Sequence, residues 1–590
     1  MASDHYSEFI EEAFVKPIRS VLIVDDDYPT FEEMLDAQLT RDGGGEPART
    51  KAWYENPTRI KNVIESFRTP NRPLLVDIHD GTNVGIGDDV KVAAHLHQSD
   101  LLVLDYQLDK AKPGDGTRAI KIIRSLTVND HFNLVVVHTS EKLDDVFQSI
   151  LIALMSPCDD ALTDEENEQI VNLLEDAELA SEGLTERLFA SVGLDHYLHS
   201  RAQAATFLRT MLKGQHPYEA FRAICEEAGW AVDVRRLLLR YVLARIEKPF
   251  LANFSDGPQT ALAWSSGAVK WIKTDTVFVA FSNKGDDDDL LSDLQNALEA
   301  WKPQPSRLFL AKLRAEMDEY GVTAQSSALG NKHALAHWYD RLLKAAGPER
   351  RWLIAETVSR HSDQLLSGIL PRVEAFATRL VDQESSAGNS TDLCKGHFAV
   401  DLGNDAARIK AEREHNAFVC SKPPEGWHLT TGHVFTMNGH FWVCLSPACD
   451  MVPSQLSAAR KAAFGDRLPF MAVRLQPVSD NKVPSDVQSN RFLFLPLNGE
   501  VKAFCFNDPS GESSAPTWHT LYAEKKGMLG SGFTFIALST EMGKTRLITH
   551  RHSAVIVCQL RYEYALNLMQ RLGSSLTRIG LDFVPVAVKT

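Results

Sequence analysis

Three stretches of the chain run apolar without alternation: Val21-Leu22-Ile23-Val24, Leu101-Leu102-Val103-Leu104 and Leu134-Val135-Val136-Val137. Strands buried on both faces read this way, and such strands belong to parallel sheets. Leu74 to Ile78 predicts a further short strand, and Thr276 to Ser282 (TVFVAFS) resumes the buried pattern much later. Between the strands, apolar residues recur at helical spacing. Phe31, Met34, Leu35 and Leu39 form one such set, with Pro29 placed for a first helical turn. Others lie around Ile60 to Phe67, at Val90 to His97, at Ile120, Ile122, Ile123 and Leu126, and at Val146, Ile150 and Leu154. After the late strand, Leu290, Leu291, Leu294, Leu298 and Trp301 share one face of an amphipathic helix. Strand–helix alternation at this spacing predicts a parallel five-stranded sheet with right-handed crossovers.

The alternation is interrupted. Residues 155–265 are helical and charge-rich, with Gln169 to Leu179, Gln203 to Leu212 and Arg235 to Ile246 the clearest helices. They read as an insertion between the fourth strand and the last. The expected organisation is then residues 18–154 for the first four strands, 155–265 for the helical insertion and 266–304 for the last strand and its helix. A helical region follows at 305–384, a Ser-, Gly- and Asn-rich linker at 385–391, and a C-terminal β-rich α+β domain at 392–590. That last domain is expected to hold short strands such as His433 to Phe435 and His440 to Leu445, with a final helix over Gln559 to Leu572.

A chain of 590 residues is too long for a single core, in keeping with several domains. The formal net charge of −16 argues against a large nucleic-acid footprint. Eight cysteines without a framework spacing, a polar acidic start and the lack of any 20-residue apolar run predict a cytoplasmic protein with no membrane span.

The chemistry collects at the ends of the buried strands. The first runs into Asp25-Asp26-Asp27, the central one ends on Asp105, and the third ends on His138-Thr139-Ser140. Open α/β sheets place ligands at this edge. Carboxylates with no thiolate or imidazole cluster make a hard-oxygen site suited to Mg²⁺. An aspartate nucleophile beside a hydroxyl and a lysine could take up a phosphoryl group.

VLIVDDD, LLVLDYQ, DGTRAIKIIR and VVVHTS, in that order, resemble the receiver domain of two-component response regulators. The resemblance implies a flavodoxin-like sheet in which Asp25 and Asp26 hold Mg²⁺ and Asp105 accepts a phosphoryl group from a histidine kinase. Gln107 would add its backbone carbonyl to the metal, Thr139 would hydrogen-bond the phosphoryl group, and a lysine after the last strand would pair with it. The chain departs from the family at that lysine, because more than a hundred residues follow the hydroxyl strand first. Lys248-Pro249-Phe250 carries the family's tripeptide but follows a helical run. Lys284 lacks the proline but ends an apolar strand, with Phe281 at the family's aromatic position, and strand character favours Lys284. Two residues after the acceptor and the hydroxyl stand Gln107 and Glu141, positions that tune the lifetime of the phosphoryl group in receivers.

In the C-terminal domain, Cys444 and Cys449 with His433 and His440 match no strong zinc spacing, and Cys444 reads as a buried thiol. Cys449 beside Asp450 is a weaker candidate nucleophile. The glycines of 527–532 and the Gly543-Lys544-Thr545 segment read as turns. With no DNA-binding or enzymatic motif evident, the layout resembles the phosphate-buffering receiver protein of the bacterial anti-phage two-component system Detocs. That resemblance implies relay or buffering of phosphoryl groups between a histidine kinase and a second receiver-effector protein. The helical insertion reads either as a decorative bundle or as a regulatory or dimerising surface, the latter making a second copy of the chain a partner. The alternative is an effector whose C-terminal domain is an enzyme or binding module gated by Asp105.

Overall fold

The computed structural model describes residues 4–577 except 46–50, 52–56, 82–98, 110, 113, 130, 156–161, 203, 214–218, 252–261, 286–288, 330–331, 453–457, 479–491 and 508–515. The expected helix at Val90 to His97 lies outside the described residues. The chain divides into two compact units, residues 1–315 and 316–590.

In the first unit, helix α1 (Asp4–Ile10) continues into a wider turn over Glu11–Val15. Strand β1 (Ser20–Val24) leads to α2 (Phe31–Asp42), α3 (Pro57–Phe67), β2 (Leu75–His79) and β3 (Leu101–Leu104). Then come α4 (Thr117–Thr127), β4 (Asn133–Thr139) and α5 (Leu143–Leu154). The apolar runs that predicted β3 and β4 are buried along their whole length. The helical insertion comprises α6 (Asp164–Ala180), α7 (Leu184–Ala190), α8 (Leu194–Ala202), α9 (Ala204–Lys213), α10 (Glu219–Glu227) and α11 (Val232–Leu251). Strands β5 (Ala263–Ser265), β6 (Trp271–Lys273) and β7 (Val277–Asn283) and helix α12 (Leu290–Trp301) complete the unit's sheet and its covering helices.

Five strands pair in parallel in the order β2-β1-β3-β4-β7. The sheet is wider than the five strands expected, because β6 and β5 add antiparallel beyond β7. Three-residue strands give too weak a pattern to predict this hairpin, and it covers what would be an open edge. The insertion has its own core, with Leu188, Phe207, Phe221 and Leu238 fully buried. Tyr197 and Leu198 of α8 join the sheet's core against α5, and Leu243 and Ile246 of α11 pack on it too.

Helix α2 departs from its reading. Thr30 caps it, its hydroxyl accepting from the Glu33 N–H, so Pro29 precedes the helix. Only Ala37 is buried, while Phe31, Met34, Leu35 and Leu39 are exposed. The polar start of the chain is also more ordered than its composition suggests. The Tyr6 hydroxyl donates to the Pro303 carbonyl at 2.6 Å, and Phe14 meets Trp301 of α12.

Helix α13 (Pro305–Leu329) crosses the boundary between the units in sequence, and α14 (Lys332–Lys344) and α15 (Gly347–Ala387) follow. The linker expected at 385–391 is not there. Helix α15 runs through Ala387, with the Ser385 and Ser386 hydroxyls satisfied by the Asp382 carbonyl. After a break at Gly388, Asn389 caps α16 (Ser390–Phe398), and α17 (Asp405–Cys420) follows. The β-rich part therefore begins near 421, not 392.

There β8 (Ser421–Lys422), β9 (His433–Met437), β10 (His440–Cys444), α18 (Ala458–Phe464), β11 (Leu468–Pro477), β12 (Phe492–Leu497) and β13 (Glu500–Cys505) precede β14 (Trp518–Ala523), β15 (Thr534–Met542) and β16 (Leu547–Leu560). Helix α19 (Tyr562–Leu576) ends the described chain, so Gln559 and Leu560 belong to β16 and not to the last helix. The ladders run β9-β10-β11-β14-β15-β16 and back to β9, closing an antiparallel barrel. Its interior holds the rings of Phe435, Phe470 and Phe535. Alternate residues on the outer face, such as Val434 and Val443, pack against β12, β13 and α19.

Candidate functional site

The parallel register brings the strand ends together. Val24 pairs with Leu104, Leu104 with Val137, and Val137 with Phe281, so the residues just beyond them share one edge. Backbone bonds continue the ladder past the strands: the Asp25 N–H donates to the His79 carbonyl, and the Asp105 N–H to the Val24 carbonyl. Both carboxylates are buried. Asp25, Asp26 and Asp105 have oxygen atoms that all lie within 4.8 Å of one another, and among the described residues they form the one cluster of metal-ligating groups.

Lys284 enters this cluster from the end of β7. Its ammonium lies 2.7 Å from Asp25 Oδ2 and 3.0 Å from Asp105 Oδ2. Its backbone N–H donates to the Thr139 carbonyl, which ties it to β4. Lys248, the competing candidate, is exposed on α11. The insertion separates β4 from β7 in sequence without separating them in space.

Burial, then the neighbouring Asp25 carboxylate, push the Asp105 carboxyl up to about 7, with Lys284 pulling the other way. Burial also works against the Lys284 ammonium, yet the Asp25 and Asp105 carboxylates outweigh it and hold its proton above the ordinary lysine value. The Gln107 N–H donates to Asp105 Oδ1 at 3.3 Å, and the Glu141 N–H to the Thr139 hydroxyl at 3.1 Å. Thr139 is fully buried, whereas Gln107 and Glu141 are half-buried. Phe281 is buried and meets Phe147 of α5 edge-on, ring centres 5.5 Å apart.

Two supporting contacts were not evident from the sequence. Tyr106 lies over the start of α4, so close that a Cβ on Gly116 would fall 2.0 Å from its ring. The Asp115-Gly116-Thr117 turn thus needs its glycine for space. Lys51 is 2.7 Å from Glu33 and 3.4 Å from Asp80, and it donates to the Tyr28 carbonyl, bracing the loop after β1. It stands in a polar loop whose pattern carries no signal.

Residues 17–186 match the family model described as the response receiver domain. This part of the chain is a receiver domain. The match covers β1 to β4, α5 and α6, and ends before β7 and Lys284. Searches of curated proteins and of solved structures found no match. A receiver domain is a phosphoacceptor of two-component signalling, and such domains bind Mg²⁺ through an acidic cluster of the kind formed by Asp25, Asp26 and Asp105. Among the described residues, no helix is long and apolar enough to cross a membrane.

In the second unit, the cysteines and histidines considered for zinc do not converge. Cys444 is buried in the barrel, its thiol pushed up to about 12 by burial, while Cys449 is exposed. The His433 ring is buried, and exposed His440 meets Arg474. Gly543-Lys544-Thr545 forms the turn between β15 and β16, where the Gly543 N–H donates to the Arg546 carbonyl.

Proposed function

We propose that this protein takes a phosphoryl group from a histidine kinase onto Asp105, holds it at the buried sheet edge and returns it to water. It would thereby buffer phosphoryl flow in a two-component pathway of the anti-phage kind. The observation that carries this reading is the Lys284 ammonium, bonded to both Asp25 and Asp105 at the end of a strand 145 residues beyond Thr139.

The donor set fits Mg²⁺: three carboxylates with mutually close oxygens on a preformed edge. Asp25, Asp26, Asp105 and the Gln107 carbonyl would hold the ion, which when bound supplies positive charge to the phosphoryl oxygens. An Asp105 oxygen attacks the phosphorus of the kinase phosphohistidine. A P–O bond forms as the P–N bond breaks, and the electron pair returns to the imidazole. Lys284 balances the added charge, and the Thr139 hydroxyl turns from accepting the Glu141 N–H to donating to a phosphoryl oxygen. Hydrolysis then breaks the P–O bond and restores the carboxylate with release of phosphate. Gln107 and Glu141, half-buried and polar, can orient the attacking water, which suits a short-lived store.

The test is intact-mass spectrometry of the full chain with Mg²⁺ and acetyl phosphate or the partner kinase. One added phosphoryl group is expected, absent in Asp105→Asn. The double variant Gln107→Leu with Glu141→Leu should load normally and lose phosphate more slowly. A lifetime unchanged in that variant would favour the phosphorylation-gated effector over the buffer.

A further inference from the structure

A cavity of about 600 Å³ opens between α5, α8 and the β5–β6 hairpin. We propose that it binds a small organic cation, an ammonium or guanidinium on a short apolar stem. Its volume is in the range of small-molecule sites. Phe147 of α5, Leu198 of α8 and Trp264 of β5 supply apolar and aromatic wall, the first two buried and Trp264 half-buried. Rings of this kind attract a cation placed over their faces.

The charge around the cavity selects the same class. Asp144 and Asp195 border it, and among the described lining residues there is no lysine or arginine. Asp144 is matched by Lys270 at 2.9 Å, which leaves Asp195 to carry the lining's negative charge. A phosphate or carboxylate ligand would meet the Asp195 carboxylate, with the His199 imidazole the one basic side chain among the described lining residues. An ammonium or guanidinium would pair with Asp195 while its stem lies on Trp264 and Phe147.

Only α5 belongs to the segment matched to the receiver family, which ends at residue 186. Helix α8 and the hairpin lie beyond it. The Phe147 wall touches Phe281, three residues before Lys284, which places the cavity one ring away from the strand that serves the acidic edge.

The probe is agmatine, with adipate as an anionic compound of similar size that carries no cationic group. Binding to the full chain is read by saturation-transfer NMR and calorimetry, with excess Mg²⁺ present to keep the probe off the acidic edge. Agmatine should saturate one site, and the anionic compound should bind at least about tenfold more weakly. Asp195→Asn and Trp264→Leu should each weaken agmatine about tenfold, with unchanged circular dichroism. No saturable agmatine binding into the millimolar range would overturn the proposal. So would equal affinity in both variants, or equal affinity for the anionic compound.

Discussion

Asp105 is costly to bury as an anion, and that cost gives the metal-free protein a defined pH response. Its carboxyl is pushed up to about 7 in the folded chain, against an ordinary value of about 3.8. Between these values the folded state holds a proton that the unfolded state has lost, so stability falls as pH rises from about 4 to about 7. At about 1.4 kcal/mol per tenfold change in proton affinity, the penalty above pH 7 is on the order of 4 kcal/mol at most. Asp105→Asn keeps an oxygen for the Gln107 N–H and leaves Lys284 its bond to Asp25. In chelator at pH 8 this variant should be more stable than wild type by about 1–3 kcal/mol, and at pH 5 the difference should shrink. Thermal melts at the two pH values check both parts. Equal melting of the two proteins at pH 8 would mean that Asp105 is not held near neutrality. A second residue-scale prediction concerns Gly116: alanine there overlaps the Tyr106 ring and should cost on the order of 2 kcal/mol or more. In a Tyr106→Ala background the same substitution should cost much less, a coupling that urea melts of the four proteins in the cycle would measure. The acids were legible in the sequence because each ends an uninterrupted apolar run. Tyr106 over Gly116 was not, since nothing in residue spacing tells which ring closes on which glycine.

At the scale of elements, periodicity located most helices but did not say which face each would bury. Helix α2 carries a helical apolar repeat, yet Phe31 is 63% and Leu39 68% exposed. It begins four residues after Asp27, so this apolar face borders the acidic loop. A kinase delivering a phosphoryl group to that edge has the face within reach. Leu35→Asp should therefore slow transfer from the partner kinase by about tenfold or more, as an interface anchor would. Loading from acetyl phosphate should not change, because an exposed position alters stability little. If both rates fell together, α2 would be acting through the fold instead. The insertion shows the opposite limit of pattern reading. Strand character picked Lys284 over the literal Lys248 tripeptide, and the ladder of β4 with β7 places Lys284 beside Asp25 and Asp105. Serines 385 and 386 misled as linker residues because their hydroxyls bond a helix carbonyl, an option that composition does not reveal.

At the scale of the whole molecule, the two units should answer acid in opposite ways. Barrel closure was not legible, since β9 pairs with β16 across more than a hundred residues and alternation says nothing of partners. Closure buries His433 at the start of β9, opposite Gln559, where the Thr430 N–H donates to its Nδ1. Burial lowers the proton affinity of this imidazole to about 4. The unfolded chain, with a histidine value of about 6.5, binds a proton first, so stability is lost as pH falls from about 6.5 towards 4. The loss is about 3 kcal/mol in full at about 1.4 kcal/mol per tenfold change. Asp105 works the other way over much of the same range, because its proton is retained by the folded state. Hydrogen exchange, corrected for its intrinsic pH dependence, can read each unit within the intact chain. On going from pH 7.5 to pH 5 in chelator, peptides from β9 and β16 should lose protection while those from β3 and β7 gain it. His433→Asn keeps an acceptor for the Thr430 N–H and removes this titrating group, so it should reduce the loss in the barrel, buried His428 carrying a remainder of the same sign, and leave the receiver sheet unchanged. Acid-induced loss in the barrel that is as large in His433→Asn as in the wild type would assign the response to other groups and remove His433 as its source.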